Sequence, residues 1–175
     1  VTGMENIALK EGPATVRKLR PEVQCDFSAL AAGYAADRIA GRLEKLGVAN
    51  FLVDMSGELK ARGHNDRGKP WQIVIDHPQS EGRSIQRMVE ISDLAIATSG
   101  DYRKHHEVDG KEVTHILDPR TGRPVHHRLA SVTVLDELAV RADAFSTAFM
   151  ALGPEEGIEL AERLNLGALF LIRED

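Results

Sequence analysis

Proline and glycine leave a backbone few choices, and they crowd into one stretch of this chain, Thr114–Val125, which reads T-H-I-L-D-P-R-T-G-R-P-V. Its approach, Lys111 to Leu117, alternates polar and apolar residues as a half-buried strand does. Asp118-Pro119, Thr121-Gly122 and Pro124 then follow closely. Proline fixes its own φ and pushes the preceding residue toward extended backbone, and glycine admits a left-handed turn. The stretch therefore predicts a stiff loop shaped by its backbone. On or beside it stand three groups suited to an anionic ligand: His115, Arg120 and Arg123. Arginine presents a planar fork of donors that matches phosphate oxygens. A hairpin with a rigid turn and solvated arginines satisfies the same pattern.

The chain has 175 residues, 42% of them hydrophobic, enough for one well-buried domain or two small ones. A net charge of -5 and a pI near 5.8 give no global basic field for nucleic acid. The single cysteine, Cys25, excludes an internal disulfide and a multi-cysteine zinc site. No apolar run approaches the roughly 20 residues of a membrane-spanning helix. The chain opens V-T-G-M-E-N-I-A-L-K, without a basic and apolar leader, and closes soon after the apolar run Ala168–Ile172. Both ends suggest a piece of a longer protein.

Asn6–Leu9 and Ala14–Leu19 predict two short strands around Gly12-Pro13. A helix is expected from about Tyr34, with Ala35, Ile39, Leu43 and Leu46 at helical spacing and Gly47 as its C-cap. The small Ala31-Ala32-Gly33 before it lets a backbone approach a ligand or ion closely. Strands are expected at Asn50–Met55, Glu58–Arg62, Trp71–Asp76, Met88–Ile91 and Leu94–Thr98, followed by a Ser99-Gly100-Asp101 turn. Tyr102–Val108 extends to a hairpin signal at Asp109-Gly110, and Leu129–Leu135 is a β-branched strand. Ala142–Leu152 and Glu155–Leu164 predict helices separated by Gly153-Pro154, with a core strand at Ala168–Ile172. The sum is an α+β chain with many hairpins, not the strand–helix alternation of a doubly wound sheet.

Asp143 and Thr147 stand four apart in R-A-D-A-F-S-T-A, one above the other on a single helix face. A carboxylate and a hydroxyl are hard oxygen donors suited to Mg²⁺, which keeps waters or phosphates in its other positions. Equally, Asp143 could cap the helix start and Thr147 pack or bond back to it. Thr98-Ser99-Gly100-Asp101-Tyr102 offers hydroxyls and backbone N–H groups to an anion, or forms an ordinary turn. Ser56-Gly57 between two strands is a weaker signal, since such a glycine often marks a bulge. The other histidines, His64, His77, His105, His106, His126 and His127, lie in polar runs without zinc-site spacing and read as surface residues.

Taken in order, D-F-S-A-L-A-A-G-Y-A-A-D, F-L-V-D-M-S-G-E-L-K-A-R-G, A-T-S-G-D-Y-R, T-H-I-L-D-P-R-T-G-R-P-V and A-D-A-F-S-T-A-F-M-A-L-G-P-E-E-G resemble the ApbE family of FAD:protein FMN transferases, formerly called thiamine biosynthesis lipoproteins. The resemblance spans about Asp26 to Gly157. It implies an ApbE-like (T-fold-like) α+β fold, with a mixed, largely antiparallel sheet and packed helices. Residues 1–175 would be a single flavin transferase domain lacking the family's N-terminal part.

By the same resemblance, Mg²⁺ is held by Asp143, Thr147 and the backbone carbonyl of Ala31. Many members carry Lys where this chain has Ala32, a change that leaves a carbonyl ligand undisturbed. His115 falls on the family's histidine and is the expected general base. Thr98, Ser99, Gly100, Asp101 and Tyr102 line the flavin nucleotide site; Arg120, Asp118 and Thr121 are expected to bind the cofactor with them, Asp118 and Thr121 chiefly by holding the His115 loop in shape. The implied reaction moves FMN from FAD to a threonine or serine of an acceptor flavoprotein in a bacterial redox complex, releasing AMP. Water in place of the acceptor gives an FAD pyrophosphatase, and a non-catalytic flavin-binding protein is the third reading. Family members work in the periplasm or at the outer face of the bacterial inner membrane, and the full-length form is expected to carry a lipid anchor.

Overall fold

The computed structural model describes residues 3–76, 85–101, 105–108 and 111–173, with backbone alone at 85, 105–108 and 111–113. After a short 3-10 turn at Met4–Asn6, β1 (Ile7–Lys10) and β2 (Thr15–Lys18) pair as the expected hairpin. The first long helix, α1 (Ser28–Lys45), begins six residues before the expected start at Tyr34. Asp26 sets that start, its Oδ1 accepting the Ser28 N–H at 2.8 Å and the Ser28 hydroxyl at 2.5 Å. Ala31-Ala32-Gly33 consequently lies inside the helix, not before it. The buried face of α1 is Gly33, Ala36 and Ala40, whereas Tyr34, Ile39 and Leu46 are exposed. Of the expected stripe, Leu43 is half-buried against the core, but Ile39 and Leu46 face outward because this helix packs too closely to admit them. The helix ends as expected at Gly47, in left-handed backbone, with the Val48 N–H bonded back to the Leu43 carbonyl.

The strands β3 (Phe51–Met55) and β4 (Glu58–Arg62) are joined by Ser56-Gly57 alone, with φ of 63° and 111°. This is a tight hairpin turn, not a bulge; two positive φ values match the twist of the strands they join. β5 (Trp71–Asp76) and β6 (Ile85–Ile91) form a second hairpin, followed by β7 (Ala95–Gly100). β8 (His105–Val108) pairs with β9 (Lys111–Thr114), bracketing the Asp109-Gly110 signal, which itself lies outside the described residues. The loop of the opening stretch is closed by β10 (Leu117–Asp118) and β11 (Arg123–Pro124). Then come β12 (Leu129–Asp136), α2 (Ala139–Leu152), α3 (Pro154–Arg163) and β13 (Gly167–Ile172). Every described strand pairing is antiparallel, and the central sheet runs β13-β12-β7-β4-β3.

Alternation along β7 divides the molecule into layers. Ala95 and Ala97 face the helices, while Ile96 faces the β5–β6 hairpin, packing with Ile73, Ile75 and Ile91. On the helical side Val132, Val134, Phe149 and Met150 are fully buried. Truncating Phe149 alone would cost about 3–5 kcal/mol. By the same period of two, Ser99 projects toward α2, and Thr98 toward the opposite face, where its hydroxyl meets that of Thr133 at 2.8 Å. The expected turn at Ser99-Gly100 is therefore the end of a central strand, paired with Val132 and Ser131 of β12. The expected core strand β13 lies at the sheet edge and is only half-buried.

α2 starts three residues earlier than its apolar run predicted. Its first N–H groups, those of Ala139 and Val140, donate to the two carboxylate oxygens of Asp37 on α1, each at 2.9 Å. A residue of one helix thus caps another, satisfying donors that a helix start leaves open.

Candidate functional site

Where α1 crosses α2, Gly33 meets Asp143. A Cβ on Gly33 would stand 2.8 Å from the Asp143 Cβ and closer still to the Ala139 carbonyl, so only glycine fits this crossing. The Gly33 N–H donates to Asp143 Oδ2 at 2.9 Å. Oδ1 makes no hydrogen bond among the described residues. Asp143 is 5% exposed, and burial lifts its carboxyl above the usual aspartate value, with the Gly33 N–H pulling the other way. It sits inside α2, so it does not cap that helix.

One turn on, Thr147 Oγ1 lies 3.0 Å from Ser99 Oγ, which lies 2.9 Å from Ser146 Oγ. The Ser146 hydroxyl in turn donates to the Asp143 carbonyl oxygen at 2.9 Å. β7 thus delivers Ser99 between two consecutive hydroxyls of α2.

His115 follows the end of β9 and precedes Ile116, which is buried in the main core and whose carbonyl accepts the Val125 N–H at 3.0 Å. That anchor holds His115 at the surface of the same region. The loop beyond it is as stiff as its composition implies. The Thr121 and Gly122 N–H groups both donate to the Asp118 carbonyl, and Gly122 has φ 66°. The Asp118 carboxylate accepts the Arg120 N–H at 2.8 Å and Arg120 Nε at 3.0 Å; these bonds hold its pKa below the usual value. Thr121 Oγ1 accepts the Arg123 N–H at 3.3 Å.

A cavity of about 500 Å³ gathers these parts. Asp143 and Thr147 line it from α2, Thr98–Gly100 from β7, and His115 from the loop. Asp26, Ser28, Ser56 and Glu58 also line it; none was expected there beyond the faint signal of Ser56-Gly57. Ala31, in the first turn of α1, is exposed and does not line the cavity, although its neighbour Ala29 does. Asp101 is bound elsewhere, both oxygens held by the Arg173 guanidinium at 2.5 and 2.8 Å. Arg120, expected as a free donor fork, spans Asp118 and Glu156 on α3 and clamps the loop to that helix. Tyr102 lies outside the described residues, as do Arg103, Lys104 and His77. His127 is not a surface residue. Its Nε2 donates to the Met150 carbonyl at 2.8 Å, its Nδ1 is buried with no hydrogen-bond partner among the described residues, and its ring stands 3.1 Å from where a Cβ on Gly153 would lie.

Among the described residues no three His, Cys, Asp or Glu side chains converge as a metal site. A carboxylate with one oxygen uncommitted beside a hydroxyl on the same helix face still fits Mg²⁺, which needs few protein ligands.

The sequence profile of the ApbE family matches residues 1–170. The chain belongs to the ApbE family. The FAD:protein FMN transferase of Vibrio cholerae serotype O1 is 40% identical across the whole of this chain, which covers 52% of that protein. The FAD:protein FMN transferase of Escherichia coli K12 is 38% identical over 99% of the chain and 50% of its own length. The chain thus spans about half the length of the curated relatives it matches. Among solved structures, the apo flavinyl transferase ApbE of Pseudomonas stutzeri superposes with a TM-score of 0.85 at 44% identity, over 99% of this chain and 53% of that one. The ApbE fold is therefore the fold of this chain, and the antiparallel sheet with its packed helices is the ApbE scaffold.

Proposed function

We propose that the protein is a Mg²⁺-dependent FAD:protein FMN transferase, moving FMN from FAD to a threonine or serine hydroxyl of an acceptor flavoprotein and releasing AMP. One observation carries this reading: His115, Asp143, Thr147 and the end of β7, distant in sequence, line a single cavity. The names of the relatives support the same flavin chemistry.

FAD is FMN joined to AMP through a diphosphate. The acceptor hydroxyl oxygen attacks the phosphorus on the FMN side, forming a phosphoester. The bond from that phosphorus to the bridging oxygen breaks, and AMP leaves with that oxygen. The hydroxyl proton passes to the imidazole of His115, which lines the cavity. Asp143 and Thr147 would hold the cation, without the Ala31 carbonyl, which lies outside the cavity lining; when bound, Mg²⁺ neutralises charge on the diphosphate oxygens. The end of β7 at Ser99 and Gly100 orients the nucleotide, and the Asp118–Arg120 turn keeps His115 in place.

His115 is exposed, so water can reach the same point. That favours FAD pyrophosphatase activity, yielding FMN and AMP, as the second reading. We place the full-length protein, carrying a lipid anchor, in the periplasm or at the outer face of a bacterial inner membrane, with an acceptor in a redox complex there. Fractionation that recovers it from the cytosol overturns that placement.

The test is incubation of the full-length protein with FAD, Mg²⁺ and an acceptor. A fluorescent protein band that survives denaturation is expected. AMP and FMN without a labelled band would establish the hydrolase, and bound FAD without AMP release would leave only a carrier. His115→Ala should abolish transfer while keeping Mg²⁺ binding, and Asp143→Ala should lose both; full activity in His115→Ala removes it as the base.

A further inference from the structure

We infer that Ser99, with Ser146, is a positioning residue that sets the direction of the Thr147 hydroxyl, turning its lone pairs rather than its proton toward the cavity. The inference rests on the reading of Asp143 and Thr147 as cation ligands. A serine or threonine hydroxyl has one proton to donate and two lone pairs. A backbone carbonyl can only accept, so the Ser146 proton is committed to the Asp143 carbonyl oxygen. Ser146 Oγ can then only accept from Ser99, which lies 2.9 Å away. With the Ser99 proton spent there, Ser99 Oγ can only accept from Thr147, at 3.0 Å. The Thr147 proton therefore points at Ser99, and its remaining lone pairs are available on a side chain that lines the cavity beside Asp143.

The chain of hydroxyls has a fixed polarity because it starts at a group that cannot donate. A hydroxyl oriented at random would present its proton to a cation part of the time, which is repulsive. Held as it is, Thr147 is an acceptor before any cation arrives, and no reorientation is needed on binding. This also explains why a strand end, and not a turn, occupies this position. Pairing with Val132 holds Ser99 rigidly, and the period of two aims it at α2.

The experiment measures cation binding by the full-length protein, with Mg²⁺ by calorimetry and Mn²⁺ by electron paramagnetic resonance, beside the denaturation midpoint in cation-free buffer. Ser99→Ala should weaken binding about 10- to 100-fold, the usual effect of removing a ligand's supporting partner. Ser146→Ala should weaken it too, because the Ser99 proton is then free to point at Thr147 and reverse the Thr147 hydroxyl. Ser99→Thr keeps the hydroxyl in a strand that tolerates β-branching and should restore binding. A purely structural role would lower the denaturation midpoint and leave the affinity of the folded protein unchanged. Wild-type affinity in both alanine variants overturns the inference while leaving the cation site standing. A wild-type protein that binds neither cation overturns the site, and the inference with it.

Discussion

Asp143 is the residue at which stability and chemistry pull apart. Its carboxylate is buried with one N–H partner, and burial raises its pKa. A raised folded-state value means that the native protein holds this proton more tightly than the unfolded chain does. Stability therefore falls as pH rises from the unfolded carboxylate value, about 3.9, through the folded one, and stays lower above it. Asp143→Asn keeps an acceptor for the Gly33 N–H and removes the charge. It should stabilise the cation-free protein at neutral pH by on the order of 1 kcal/mol, with the gain vanishing below pH 4 or so. It should also abolish cation binding. Urea denaturation at both pH values checks this; equal stability at neutral pH would refute it. The four-residue spacing of Asp143 and Thr147 was legible in the sequence because both sit on one helix. The Gly33 partner was not, since nothing local ties a glycine on α1 to a carboxylate on α2.

At the scale of elements, the helices are defined by each other. Asp37 on α1 caps α2, and Gly33 lets the two come together at the level of Asp143. Asp37→Ala leaves the Ala139 and Val140 donors without their carboxylate and should cost about 1–2 kcal/mol of stability. Because α2 carries both proposed ligands, cation affinity should fall as well. A variant with an unchanged denaturation midpoint would show that the cap contributes little. Turn chemistry was readable from residues at Gly47 and at Asp118-Pro119 to Gly122, which each stand at a chain reversal, whereas Ser56-Gly57, whose glycine suggested a bulge, is a tight turn. The register of α1 was not readable. Its buried stripe is glycine and alanine, which carry almost no hydrophobic signal, while Tyr34, Ile39 and Leu46 face outward and Leu43 is half-buried against the core. Ser99-Gly100 misled for a related reason: its residues are those of a turn, and only pairing with β12 makes it a strand.

For the whole molecule, the cavity of about 500 Å³ has a mixed wall, with Ser28, Ser56, Ser99 and Thr147 beside Ala29, Ile116, Leu117 and Ala151. With the chain spanning about half the length of its relatives, the rest of the flavin contacts are proposed to come from sequence beyond these residues. The 175-residue chain and the full-length protein should then bind inorganic pyrophosphate with Mg²⁺ within a few-fold of each other, while FAD binds at least about tenfold tighter to the longer form, roughly 1.4 kcal/mol. Equal FAD affinity, measured by flavin fluorescence, would place the whole flavin site in this chain. The sequence by itself determined the ordered motifs, the stiff loop after His115 and the oxygen pair on α2, because each depends on backbone preferences or spacing within one segment. Only the tertiary structure decided which of those groups share a cavity, which arginines are already paired, and how a serine on β7 polarises a threonine on α2. Those outcomes depend on contacts between segments far apart in the chain, and no local preference of either segment encodes them.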